Sequence, residues 1–174
     1  MRQQAYLLVD GYNMIGAWPE LAKYQQDNIQ LARDLLLEQL SEYGKYRNIQ
    51  IILVFDAQLV PGATTSFEQY EVQVVFTSEQ ETADAYIERL VKTYIHPTRR
   101  VTVATSDQAE QWMVFQQGAL RQSAQELRLE MQYAKREIEQ EIQQFYDSKV
   151  RRHSPWRNEQ LVALDRLRHT LHFE

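Results

Sequence analysis

Four apolar runs in this chain each lead into acid. Asp10 closes LLVD, Asp56 follows ILVF, Glu81 and Asp84 come just after VVF in VVFTSEQETAD, and Asp107 ends VTVATSD. Taken singly, an acid in such a place also serves as a turn former or a helix N-cap. Four in succession point to a shared site. Clustered carboxylates repel one another and are stable only with protons or cations among them. Oxygen ligands without a His or Cys companion suit a hard cation, Mg²⁺ or Mn²⁺, with waters completing an octahedron. Such an ion lowers the pKa of a bound water and offsets charge growing on a phosphoryl oxygen. The expectation from these residues is therefore a hard divalent cation held at the edge of a sheet.

The elements that must position these acids follow from hydropathy. Tyr6–Val9, Ile49–Phe55, Val72–Phe76 and Val101–Ala104 are short and apolar on both faces, as in strands of a parallel sheet covered by helices. Helical segments separate them: one opening near Asp27, one over Thr82–Tyr94, and one from Asp107 to a stop at Gly118. Alternation of this kind makes the fold class α/β. Ligands of such sheets bind beyond the carboxyl ends of the strands, which is where the acids fall. Ala57–Gln69, with Pro61-Gly62 and a Thr-Thr-Ser cluster, reads as a long loop. Ser123-x-x-Glu126 is a capping-box pattern opening a helix to about Tyr146, roughly 35 Å long at 1.5 Å per residue. Its stripe of Leu127, Met131, Ala134, Ile138, Ile142 and Phe145 is narrow. A linker at Arg151–Pro155 and a last helix through Leu171 complete the chain. The division expected is a domain over 1–120 and a helical extension over 121–174 packed on it.

The 174 residues suffice for one domain with a real core. No run approaches the roughly 20 apolar residues of a membrane span, and the N-terminus lacks signal-peptide form. Cysteine is absent, which excludes disulfides and thiolate zinc sites. A cytoplasmic or stroma-like compartment is the expectation. Net charge is −5, against a generic polyanion binder, but it is unevenly spread: residues 1–90 hold 6 Lys/Arg and 13 Asp/Glu, residues 91–174 hold 13 and 11.

The same motifs carry a resemblance. DGYN at 10–13, VFDA at 54–57, ETAD at 81–84, ATSD at 104–107, EQW at 110–112 and GALRQSAQEL at 118–127 resemble the NYN domain of the YacP-like branch of PIN-type nucleases. The resemblance covers most of residues 5–130. It implies a PIN-like α/β/α sandwich with a mainly parallel sheet, strand order near 3-2-1-4. It implies metal-dependent endonucleolytic cleavage of single-stranded RNA by a metal-activated water, leaving 5′-phosphate and 3′-hydroxyl ends. Position by position, Asp10, Asp84 and Asp107 match the metal-binding acids. Asn13 matches the Asn of DGYN, as an orienting hydrogen-bond donor. Asp56 and Glu81 are expected as outer or part-time ligands. PIN-type sites often carry another acid two residues after the late Asp; here that place is Ala109, with Glu110 next, which leaves one metal or two open.

A polyanion needs cationic surroundings and stacking surfaces. Arg121, in a turn between two helices, and Arg128 are candidates for the first. Tyr12 and Trp18, in the loop after strand one, are candidates for the second. Trp112, beside Met113, Val114 and Phe115, is expected in the core. The long polar helix fits docking on a large RNA–protein partner or dimerisation; a translation link implied by the resemblance makes the ribosome a candidate partner. Among rivals, an HAD-type phosphatase needs DxD where Tyr12 stands, and a P-loop is absent. A receiver domain wants paired acids after its first strand. The rival from another class is a non-catalytic RNA-binding adaptor on the same fold.

Overall fold

The computed structural model describes residues 4–56 and 65–153. Five strands run parallel: β1 (Gln4–Asp10), β2 (Gln50–Phe55), β4 (Val72–Phe76), β5 (Arg99–Ala104) and β6 (Leu120–Gln122); β3 (Thr65–Gln69) is antiparallel. The sheet order is β3-β4-β2-β1-β5-β6. Its four central members are the four strands read from the sequence, in the expected order. The two edges are additions. β3 occupies part of what reads as loop, pairing Thr65 with Phe76 through Gln69 with Val72. Its turn is Tyr70-Glu71, with φ of 53° and 66°. Hairpin turns of that hand are ordinarily announced by Asn-Gly or Asp-Gly, and Tyr-Glu carries no such signal. β6 places Arg121 opposite Val103 in a short edge strand, not in a turn between helices. Residues 57–64, and the helix expected over 155–171, lie outside the described residues.

Alternation along the strands sorts the core into two layers. Leu7, Val9, Ile51, Leu53, Phe55, Val72 and Val74 face one side, toward α1 (Gly11–Ala17), α2 (Pro19–Ala22), α3 (Ile29–Arg47) and the opening of α6 (Ala124–His153). Tyr6, Leu8, Ile52, Val54, Val75, Val101 and Val103 face α4 (Ala83–Tyr94) and α5 (Gln108–Gln116). The architecture is a three-layer α/β/α sandwich. In α4 the buried stripe is Ala83, Ile87 and Val91, four apart, under an N-cap supplied by Thr82. The cap of α3 is Asn28, whose side chain accepts from Leu31 N at 3.1 Å, one residue past the expected Asp27.

Ser123 and Glu126 form the capping box of α6: Ser123 N donates to Glu126 Oε2 at 2.6 Å and Glu126 N to Ser123 Oγ at 3.2 Å. The chain groups into two compact units, 1–135 and 136–174. In the first, α6 buries Leu127 and Ala134 completely, with Met131 packed beside them. In the second, the described part is the rest of α6, on which Ile142, Phe145 and Tyr146 are exposed. No helix among the described residues is long and apolar enough to cross a membrane.

Candidate active site

Asp10 is at once the last residue of β1 and the N-cap of α1. The chain turns into a helix directly after the strand, where a loop was expected. Asn13 N donates to Asp10 Oδ1 at 3.1 Å, and Asn13 Nδ2 donates to Oδ2 at 2.5 Å. Both carboxylate oxygens are thus held by one residue three positions on. The tight entry requires Gly11: a Cβ there would lie 2.2 Å from the Phe55 ring. Asp10 is 4 % exposed, and burial first, then the charge of Asp84, raises its pKa against the lowering effect of the Asn13 bonds.

Asp84 comes from the first turn of α4, and Glu110 from the first turn of α5. One carboxylate oxygen from each of Asp10, Asp84 and Glu110 lies within 4.8 Å of the other two. Glu110 is the member that spacing alone did not identify. Asp107 caps α5, accepting from Ala109 N at 2.7 Å and Glu110 N at 3.4 Å. That start of the helix turns its third residue back over the sheet edge, so the extra acid arrives by helical rotation, not by linear spacing. Glu110 is 4 % exposed, and neither of its oxygens has a hydrogen-bond partner of good geometry. Burial above all pushes its carboxyl up to about 8; the nearby Thr105 hydroxyl offsets part of this, and Asp84, Asp10 and Asp107 add to it. The pKa of Asp84 is also raised, by burial and then by the charges of Asp107 and Asp56.

Three acids converge, and each pays a desolvation or repulsion penalty that a cation would relieve. The donor set is all oxygen, which fits Mg²⁺ or Mn²⁺. The two buried oxygens of Glu110, neither with a well-placed hydrogen-bond partner among the described residues, could serve as ligands to such a cation. The structure does not bring every expected acid into the cluster. Asp107 stands close enough to act on Asp84 and Glu110 by charge, but its Oδ1 is engaged as the cap. Asp56, just past β2, likewise acts on Asp84 and Tyr12 from outside. Glu81 is turned into a fork with Arg89, whose Nη2 lies 2.9 Å from both Glu81 oxygens.

The expected RNA-facing residues divide. Trp18 is not a stacking surface: it is 1 % exposed, and its indole nitrogen donates to Ala124 O at 2.8 Å. The short helices α1 and α2 fold it inward against the start of α6. Trp112 shows the reverse, standing 67 % exposed with Phe115 edge-on at 6.3 Å. Tyr12 is half-buried, its ring tilted on Phe55 at 5.1 Å between centroids. Arg121 is exposed and donates to Gln111 Oε1 at 3.0 Å. Arg128 pairs with Glu20 at 2.9 Å, which ties α6 to α2.

The YacP-like NYN domain profile matches residues 7–169. The chain is 45 % identical to the uncharacterized protein YacP of Bacillus subtilis (strain 168) over 143 residues, 82 % of this chain and 84 % of that one. It is also similar to the crystal structure of Rae1 (YacP) from Bacillus subtilis, with TM-score 0.72 and 41 % identity over 94 % of each chain. The W164L mutant of that protein matches with TM-score 0.72 and 42 % identity, over 81 % of this chain and 82 % of that one. A sheet that delivers acids to one edge, matched over most of its length by these proteins, places the chain in the YacP-like NYN family, a nuclease-type family.

Proposed function

We propose that the chain is a metal-dependent endoribonuclease that hydrolyses single-stranded RNA and leaves 5′-phosphate and 3′-hydroxyl ends. The observation that carries this reading is the convergence of Asp10, Asp84 and Glu110 within 4.8 Å, with both Glu110 oxygens unpartnered. Those three residues would hold Mg²⁺ or Mn²⁺, which when bound supplies a water of lowered pKa and offsets charge on the scissile phosphoryl group. The chain's own residues do the positioning. Asn13 fixes the orientation of the Asp10 carboxylate by engaging both of its oxygens. Asp107 fixes where α5 begins, and so the direction of Glu110. Asp56 and Asp107 add negative potential that strengthens retention of a cation. His96 lies in the turn before β5, hydrogen-bonded with Thr98 at 2.9 Å, and takes no part. The RNA is read as messenger RNA, with the ribosome as candidate partner and the cytoplasm as the compartment; family resemblance supports this.

The test is incubation of wild type, Asp10→Asn and Asp84→Asn with a long single-stranded RNA, with and without Mg²⁺ or Mn²⁺, followed by end mapping. The expected result is metal-dependent cuts bearing 5′-phosphates, lost in both variants. Metal-independent binding without cleavage, on free RNA and on translating ribosomes alike, would leave the RNA-binding adaptor as the correct reading.

A further inference from the structure

On the α3 side of Asp10 the sheet edge holds a cation that the acidic cluster does not account for. Arg33, on the second turn of α3, is 9 % exposed. Its guanidinium carbon lies 5.4 Å from the centre of the Tyr12 ring, 5.7 Å from that of Phe55 and 5.4 Å from that of Phe76. Tyr12 is two residues past Asp10, while Phe55 and Phe76 end β2 and β4. All three rings therefore belong to the strand edge that carries the acids. One terminal nitrogen of Arg33 donates to the Tyr12 hydroxyl, the other to Gln30 Oε1 at 3.3 Å, and Nε has no partner among the described residues.

A guanidinium buried in this way loses hydration, and aromatic faces return only part of that loss. A well-packed apolar side chain would suit the same box better. A fixed positive charge at that point gains its use if a polyanion comes to the edge of the sheet. The Tyr12 hydroxyl shows how the charge would be transmitted. Its oxygen accepts from Arg33, its own hydrogen has no acceptor among the described residues, and the residue is half-exposed. A hydroxyl polarised by a cation on its oxygen is a stronger donor to an anion.

We propose that Tyr12 donates a hydrogen bond to a backbone phosphate of bound RNA next to the acidic centre, and that Arg33 is the positioning residue that holds and polarises it. This rests on the ribonuclease reading and assigns Tyr12 a phosphate, where the sequence had offered it a base. Arg33 acts from behind, through Tyr12, and does not itself touch RNA.

The test uses the full chain with a fluorescent single-stranded oligoribonucleotide, binding measured in EDTA and cleavage measured with Mg²⁺ or Mn²⁺. Tyr12→Phe keeps the ring and removes the donor. It is expected to weaken binding about tenfold, and to raise KM by more than it lowers kcat, because a hydrogen bond to a charged group is lost. Arg33→Met, which fills the box without charge, is expected to weaken binding to a similar degree while its thermal midpoint holds or rises. Arg33→Lys restores part of the affinity. Tyr12→Phe/Arg33→Met should bind no worse than Arg33→Met, since the two residues act as one unit. Wild-type affinity in Tyr12→Phe overturns this proposal and leaves the nuclease standing, as does a loss in Arg33→Met that merely tracks a lowered midpoint. A wild type that neither binds nor cuts RNA overturns both.

Discussion

Glu110 is a carboxyl whose environment works against its charge. An unfolded Glu ionises near its ordinary 4.5, whereas burial and the neighbouring acids hold the folded group protonated up to about 8. A group with a raised folded pKa contributes stability that is present in full below 4.5 and is lost as pH rises through about 8. Asp10 and Asp84 are shifted in the same direction. The thermal midpoint of the cation-free protein is therefore expected to fall by several degrees between about pH 5 and 8.5, and Glu110→Gln to flatten that slope. Added Mg²⁺ or Mn²⁺, if held by these carboxyls as proposed, should raise the midpoint most at the alkaline end, where they have lost their protons. Differential scanning fluorimetry across pH, with EDTA and with metal, checks both. A midpoint that climbs with pH in EDTA would contradict the burial of Glu110.

At the scale of elements, Trp18 and Trp112 exchange the places their local sequence suggests. Trp18-Pro19 sits among turn-forming residues, yet α1 and α2 carry Trp18 into the core and tie it to the first residue of α6. Trp18→Ala is expected to cost about 3–5 kcal/mol in urea unfolding, from lost burial plus a cavity. Trp112 lies in an apolar stretch, but α5 has apolar residues around its whole circumference, so periodicity does not choose a buried face. Tertiary packing turns Glu110, Gln111 and Val114 inward and leaves Trp112, Met113 and Phe115 outside. Trp112→Gln should therefore stay within about 0.5 kcal/mol of wild type in the same measurement. A large loss there, or none at Trp18, would reverse the assignment.

For the molecule as a whole, the compact unit runs to Lys135, because β6 and the first turns of α6 complete it. Thr102–Ala104 pairs with Leu120–Gln122, and Ala124, Leu127 and Ala134 are buried in the layer of α1 and α3. Tyr43 donates to Glu130 at 2.9 Å across the same layer. A chain ended after residue 120 loses all of this. It is expected to unfold at clearly lower urea than a chain ended after residue 135, with a broader transition. Equal midpoints would place the boundary nearer 120.

Much of this protein is decided locally. Short runs rich in Val, Ile, Leu and Phe and apolar on both faces read as buried strands, and helices between them favour a parallel sheet. The acids at the strand ends, Asp10 above all, follow because a parallel sheet brings its carboxyl ends together. The Asp107 cap and the Ser123–Glu126 box are legible because a few neighbouring residues satisfy them. What the tertiary structure alone decided depends on rotation and on distant partners. Glu110 joins Asp10 and Asp84 because packing turns the first turn of α5 over the sheet edge. Glu81 is drawn away by Arg89, eight residues on. Arg33 meets Tyr12, Phe55 and Phe76 only when α3 lies across the sheet. β3 forms because β4 offers it an edge, around a turn whose residues do not announce it. Local pattern specifies an element and its ends; which face it turns, and what meets it there, is settled by packing across the whole chain.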